Sequence, residues 1–351
     1  MQNFHCFLCA TIIAMSATLL SCGDDDDESG SANGNITAGQ VTTSDGTTLY
    51  ITAIGGYDNP YDCVYNYDED GRLISFYDDY DDNSDDAYYS SKSDPYEVTY
   101  DPFTIKLEKT EHSDYDYCLY ILSDITVNSK GYITSFNYYS YGEGHFYSVD
   151  DDGELVRGEI CDEENGSASF SYDSDGHLVK TYVSIDKTHD ACDNLSYDTS
   201  ECYTETITNT NTWQNGLLIS STCSDIDYYE DGDTYVSEVT NEYTYTSDSG
   251  DYPNTTYQFT PSNREINGYV ASHSMTLEYL TLVGYFGKAP TYHPISKYQT
   301  GYNESDGVID NDEPETYYFK YTLLSNGAVA SCYLKQGEYE WDRYGFTYSQ
   351  F

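Results

Sequence analysis

One sentence of sequence is written again and again along this chain, and it limits the fold more than any other feature. In its clearest form, Phe170-Ser171-Tyr172-Asp173-Ser174-Asp175-Gly176-His177-Leu178-Val179-Lys180, apolar or aromatic residues at Ala168, Phe170 and Tyr172 alternate with small polar ones. An Asp-Gly turn follows, and Leu178, Lys180 and Tyr182 resume the alternation on the way back, which is the pattern of a β-hairpin. Gly176 supplies the positive φ that a tight hairpin turn needs. Close copies run from Cys63 to Phe76 around Gly71 and from Phe146 to Val156 around Gly153. Looser ones surround Gly131, Gly216 and Gly327. The spacing of these glycines makes one hairpin the unit of repetition.

Hairpins in succession, with 8 Pro and no alternation of strands with helices, predict an antiparallel meander that closes on itself into a soluble barrel or a strongly curved sheet. What fills it is unusual. The chain carries 43 Tyr, placed at alternating positions, so tyrosine supplies the apolar bulk that aliphatic residues supply elsewhere. Alternate Leu, Val or Phe do not form the apolar outer band of a transmembrane barrel. With 14 Lys+Arg against 62 Asp+Glu the net charge is −48, which repels nucleic acid and acidic membrane surfaces.

Residues 1–21 hold no charged side chain and an apolar run from Phe7 to Leu20, the pattern of a secretory signal. Leu19-Leu20-Ser21-Cys22-Gly23 looks like a bacterial lipobox, which implies cleavage before Cys22 and its acylation, hence anchoring in the outer membrane. Asp24 to Glu28 then resembles the acidic tag that routes lipoproteins of Bacteroides-like bacteria to the cell surface, and residues 22–40 form a flexible tether. A single β domain is expected over 41–351. Acidic stretches at Asp78–Asp86 and Asp225–Asp233 read as solvated loops. Leu277, Leu280 and Val283 are three apart, so one short helix is expected over 275–286 within a helical insertion at about 262–300.

The Tyr-x-Tyr-Asp-x-Asp-Gly-Arg/His-Leu units at Tyr65–Leu73 and Phe170–Leu178 resemble tyrosine-aspartate (Rhs-type) repeats. With the lipobox, the acidic tag and the Gly284-Tyr285-Phe286-Gly287-Lys288 segment, the chain is similar to Bacteroidetes outer-membrane lipoproteins with a porin-like barrel and no assigned function. That resemblance implies the barrel and supplies no catalytic residues.

Candidate chemistry is sparse. Acidic pairs occur at every spacing in a chain this acidic, so they do not identify a glycosidase. Asp68/Asp70, Asp150/Asp152 and Asp173/Asp175 share an Asp-x-Asp-Gly form whose hard oxygens suit a structural calcium ion, against the plainer reading of solvated turns. No other cofactor is expected. Of the 10 Cys, those outside the signal and lipobox are Cys63, Cys118, Cys161, Cys192, Cys202, Cys223 and Cys332; Cys192 with Cys202 would close a small polar loop, and others fit as buried strand residues. Trp213 and Trp341 are candidates for stacking on a ligand. The leading expectation is a monomeric, surface-exposed, lipid-anchored binding protein for a glycan or peptide. The alternative is an adhesive or structural scaffold with no small-molecule site. An enzyme acting on extracellular polymer is the least favoured reading.

Overall fold

The computed structural model describes residues 40–42, 46–56, 59–80, 95–112, 115–149, 155–191, 203–229, 232–245, 280, 283–305 and 307–350. Its strands are β1 (Gln40–Thr42), β2 (Thr48–Gly56), β3 (Asn59–Tyr67), β4 (Leu73–Tyr80), β5 (Tyr96–Tyr100), β6 (Phe103–His112), β7 (Tyr115–Val127), β8 (Ile133–Val149) and β9 (Leu155–Tyr172). They continue with β10 (Leu178–Ala191), β11 (Tyr203–Gln214), β12 (Leu217–Tyr229), β13 (Thr234–Thr244), β14 (Ser296–Ser305), β15 (Val308–Asn311), β16 (Glu315–Leu323), β17 (Val329–Gln336) and β18 (Tyr339–Ser349). Consecutive strands pair antiparallel, β14 also pairs with β16, and β18 returns to β2 through Phe346 opposite Ile54. The result is a closed barrel of 16 strands, with β1 and β15 as short additions to β2 and β14.

The wall has a dry face and a wet one. Ile51, Leu73, Phe76, Ile105, Ile133, Phe170, Ile185, Phe319 and Phe346 belong to one buried cluster inside. Glu97, Glu108, Ser169, Lys180, Thr210, Glu242 and Lys320 point outward. The inner face is not apolar throughout: Glu205, Asn209, Asn211, Ser221, Asn241 and Lys297 are buried on β11–β14, so that sector of the wall turns a polar face inward. Among the described residues no helix is long and apolar enough to cross a membrane.

The repeated sequence is explained at the rim. Asp68 Oδ1 accepts the N–H groups of Asp70 and Arg72, Asn128 Oδ1 those of Lys130 and Tyr132, and Asp173 Oδ1 those of Asp175, Gly176 and His177. In each the first residue's N–H bonds the carbonyl of the fifth, and the glycine N–H bonds the first carbonyl. The Asp or Asn is therefore a side-chain staple on a five-residue turn whose glycine has positive φ. Asn215-Gly216, with φ of 52° and 74°, makes the two-residue turn that this dipeptide favours.

Just beyond five of the turns the ladder slips at the same place. Register shifts accompany Leu73, Ile133, Leu178, Leu218 and Val329, each the first or second residue of its return strand. A bulge disturbs backbone pairing there. An aromatic side chain from the next strand supplies a bond to that carbonyl: Tyr100 to Leu73 at 2.8 Å, Tyr172 to Ile133 at 2.6 Å, Trp213 to Leu178 at 2.8 Å, Tyr245 to Leu218 at 2.9 Å and Tyr348 to Val329 at 2.7 Å. The aromatic near each turn thus ties one hairpin to the one before it. Tyr172→Phe keeps the ring but leaves a carbonyl without this donor. Urea unfolding is expected to report a loss of about 1–3 kcal/mol, with the slope unchanged.

The segment before β14 does not form the expected helix through residue 286. Leu280 is helical, the Tyr285 N–H bonds its carbonyl at 3.1 Å, and Gly284 has φ of 90°. That is the capping geometry at which a helical turn ends, so the glycine stops the helix the spacing promised. Residues 275–279, 281 and 282 lie outside the described residues. From Tyr285 the chain runs along the turn-bearing rim. The Tyr285 carbonyl accepts from Ile133, Lys288 N–H bonds Gly176, Thr291 N–H bonds Gly216 and Ile295 N–H bonds Thr244. Leu280, Val283, Tyr285 and Phe286 are fully buried in the core. Gly287 is required at the closest approach, since a Cβ there would stand 2.9 Å from the Gly176 carbonyl oxygen and 2.8 Å from Tyr172.

Candidate functional site

Buried charge marks the inside of the wall away from the turn-bearing rim. Hairpin alternation puts Glu164 on β9, Lys187 on β10, Glu205 on β11 and Asp225 and Asp227 on β12 on the inner face. The register sets Lys187 opposite Glu164 and Glu205 opposite Asp227. Lys187 Nζ contacts Glu205 Oε2, lies 3.9 Å from Glu164 Oε1 and stands 5.1 Å from the centre of the Tyr203 ring. Tyr138 donates to Glu164 at 2.9 Å, so the network crosses five adjacent strands.

Among the described residues, one cation, Lys187, faces four carboxylates. Burial, then repulsion from Glu205 and Asp227, pushes Asp225 up to about 7. Burial also raises Glu205 and Asp227, against the opposing pull of Lys187. Burial alone would lower the Lys187 ammonium, but Glu205 and Glu164 hold it above its ordinary value. Glu205 is 2% exposed, and its Oε1, like Asp225 Oδ1, has no hydrogen-bond donor. A wall so arranged holds protons or cations readily and anions poorly.

The expectation of a loop over Asp225–Asp233 is corrected in part. β12 extends to Tyr229 with Asp225 opposite Ser237 and Asp227 opposite Tyr235, and only the turn around Gly232 separates it from β13. Charge density made the stretch look like a loop; the alternation of Asp225 and Asp227 with Ile226 and Tyr228 is the signal that it is a strand. Glu164, Lys187 and Glu205 carried no motif of their own.

The sequence candidates fall elsewhere. Asp68 and Asp173 use their carboxylates on turn closure. Desolvation opposes the shift, but bonds from Arg72 lower Asp68, and bonds from His177 lower Asp173. Asp70 and Asp175 are exposed beside them; Asp173, Asp175 and His177 offer atoms within 4.8 Å of one another. Trp213 comes to the same place, half-buried, its ring stacked on buried His177 at 4.3 Å and its Nε1 spent on Leu178. Trp341 lies on β18 opposite Leu334. Cys63, Cys118 and Cys332 are buried among the core side chains. Asp150, Asp152, Cys22, Cys192 and Cys202 lie outside the described residues.

No protein-family model matches the chain, and no curated protein matches it in sequence. The resemblance to tyrosine-aspartate repeats thus has no family match behind it, and the turn chemistry accounts for the motif. A crystal structure of a porin-like protein from Bacteroides uniformis ATCC 8492 aligns with 70% of this chain and 96% of that one, at 15% identity and a TM-score of 0.25. The likeness is too distant to say anything about the site. The barrel rests on the strand pairing described above.

Proposed function

We propose that this protein is a lipid-anchored barrel, held at the outer membrane through Cys22 and exposed at the cell surface, that binds glycan on its outer wall. The observation that carries the reading is a pair of outward tyrosines. Tyr298 on β14 and Tyr318 on β16 are 43% and 56% exposed. Tyr298 is opposite Thr316 and Tyr318 opposite Ser296, so the two residues are diagonal neighbours on adjacent strands, their Cα atoms roughly 7–8 Å apart. Exposed Glu242 lies opposite Tyr298, and exposed Lys335 opposite Tyr318. Flat rings flanked by hydroxyl, carboxylate and ammonium groups suit a sugar, whose C–H face stacks and whose hydroxyls hydrogen-bond. A polar wall also supports attachment through an acyl chain rather than by spanning lipid.

Affinity electrophoresis against a panel of soluble neutral and acidic polysaccharides tests this. One class should retard the wild-type chain, and Tyr298→Ala with Tyr318→Ala should weaken that binding at least tenfold, about 1.4 kcal/mol, with the thermal midpoint unchanged because both rings are exposed. Retardation by none of the panel would turn the reading to a structural surface scaffold.

A further inference from the structure

We propose that Glu205, Asp225 and Asp227 form a calcium site on the inner face of the barrel wall, distinct from the Asp-Gly turns and from the outer tyrosines. Each residue presents a carboxylate oxygen, and these oxygens all lie within 4.8 Å of one another. A calcium ion takes oxygen ligands at about 2.3–2.6 Å, so the separation is one that a small adjustment of the side chains closes around a single ion. The register fixes the arrangement: Glu205 and Asp227 are direct cross-strand partners, and Asp225 is one step along the same face of β12.

A second observation points to a ligand. Glu205 is 2% exposed and its Oε1 has no hydrogen-bond donor, and Asp225 Oδ1 is likewise buried without one. Buried carboxylate oxygens are ordinarily hydrogen-bonded, paired or bound to metal. Lys187 reaches the other oxygen of Glu205 and the far carboxylate Glu164, and among the described residues neither aspartate on β12 has an ion pair of its own. With no nitrogen or sulfur in the set, the chemistry is that of a hard cation, and flexible carboxylates on strands favour calcium over the strict octahedron of magnesium.

The test uses the full chain, stripped with chelator and held at physiological salt, because so acidic a surface gathers calcium weakly and without order. Calcium titration calorimetry and terbium luminescence excited through tyrosine are read on the wild type and on Asp225→Asn, Asp227→Asn and Asp173→Asn. Circular dichroism checks that each variant is folded, and the asparagines preserve shape while removing charge. The expected result is one saturable ion per chain, weakened at least tenfold by Asp225→Asn and by Asp227→Asn and unaltered by Asp173→Asn. Binding that all three variants leave unchanged, binding lost only in Asp173→Asn, or no saturable binding would each overturn the proposal. None of these outcomes bears on glycan retention, so the two proposals fail separately.

Discussion

Lys187→Met is expected to lower the stability of the barrel by about 3–5 kcal/mol, the usual penalty for removing one partner of a buried ion pair. Methionine matches the length of the lysine stem and packs against the same neighbours, so the loss reports charge rather than volume. Without the ammonium, Glu205 remains inside the wall among Glu164, Asp225 and Asp227 with no described cation against it. Adding Glu205→Gln should recover most of the loss, since the uncompensated charge, rather than the missing bond, is what destabilises the single variant. Urea unfolding of the two single variants and the double variant measures this. Equal and additive losses would show that the pair is not coupled.

Tyr285→Ala is the second large effect, at about 3–5 kcal/mol for a fully buried aromatic ring. Tyr285 is 1% exposed, packs 6.2 Å from the Phe103 ring centre and shares a 2.9 Å hydrogen bond with the Tyr100 hydroxyl. Its backbone carbonyl also accepts the first N–H of β8. Truncation therefore opens a void where the rim segment enters the core and loosens the strand it is bonded to. Tyr285→Phe separates the two contributions, because Tyr100 retains its bond to Leu73 and only one hydroxyl is lost. The phenylalanine variant should fall short of wild type by about 1 kcal/mol. A guanidinium or thermal melt in which alanine and phenylalanine behave alike would contradict this account of the rim.

The hairpins were legible because their turns are local chemistry. Asp68, Asn128 and Asp173 act within five residues, and Gly71, Gly131 and Gly176 adopt the φ they were expected to. The meander, and the alternation of buried with exposed positions along each strand, followed from the alternation of side chains. What could not be read was anything set by register between distant strands. That Trp213 ends its reach on the Leu178 carbonyl and on His177, rather than on a ligand, depends on how β11 lies against β10. The network around Lys187 has the same origin, since Glu164, Lys187, Glu205 and Asp227 meet only once four strands are aligned. The expected helix does not reach residue 286 for a local reason that was visible: Gly284 and Gly287 both take positive φ inside the stretch whose spacing looked helical.

The tyrosine ties between hairpins make the wall modular. Where the joint occurs, an aromatic donor at the end of one strand meets a bulged carbonyl at the start of the strand before it, and a hairpin such as the one around Gly176 carries both halves, Tyr172 as donor and Leu178 as acceptor. A tandem duplication of one unit would bring its own donor and acceptor and would meet its neighbours through joints already in use. Circumference is then a matter of copy number, and a family built on this unit can vary in girth without inventing a new interface.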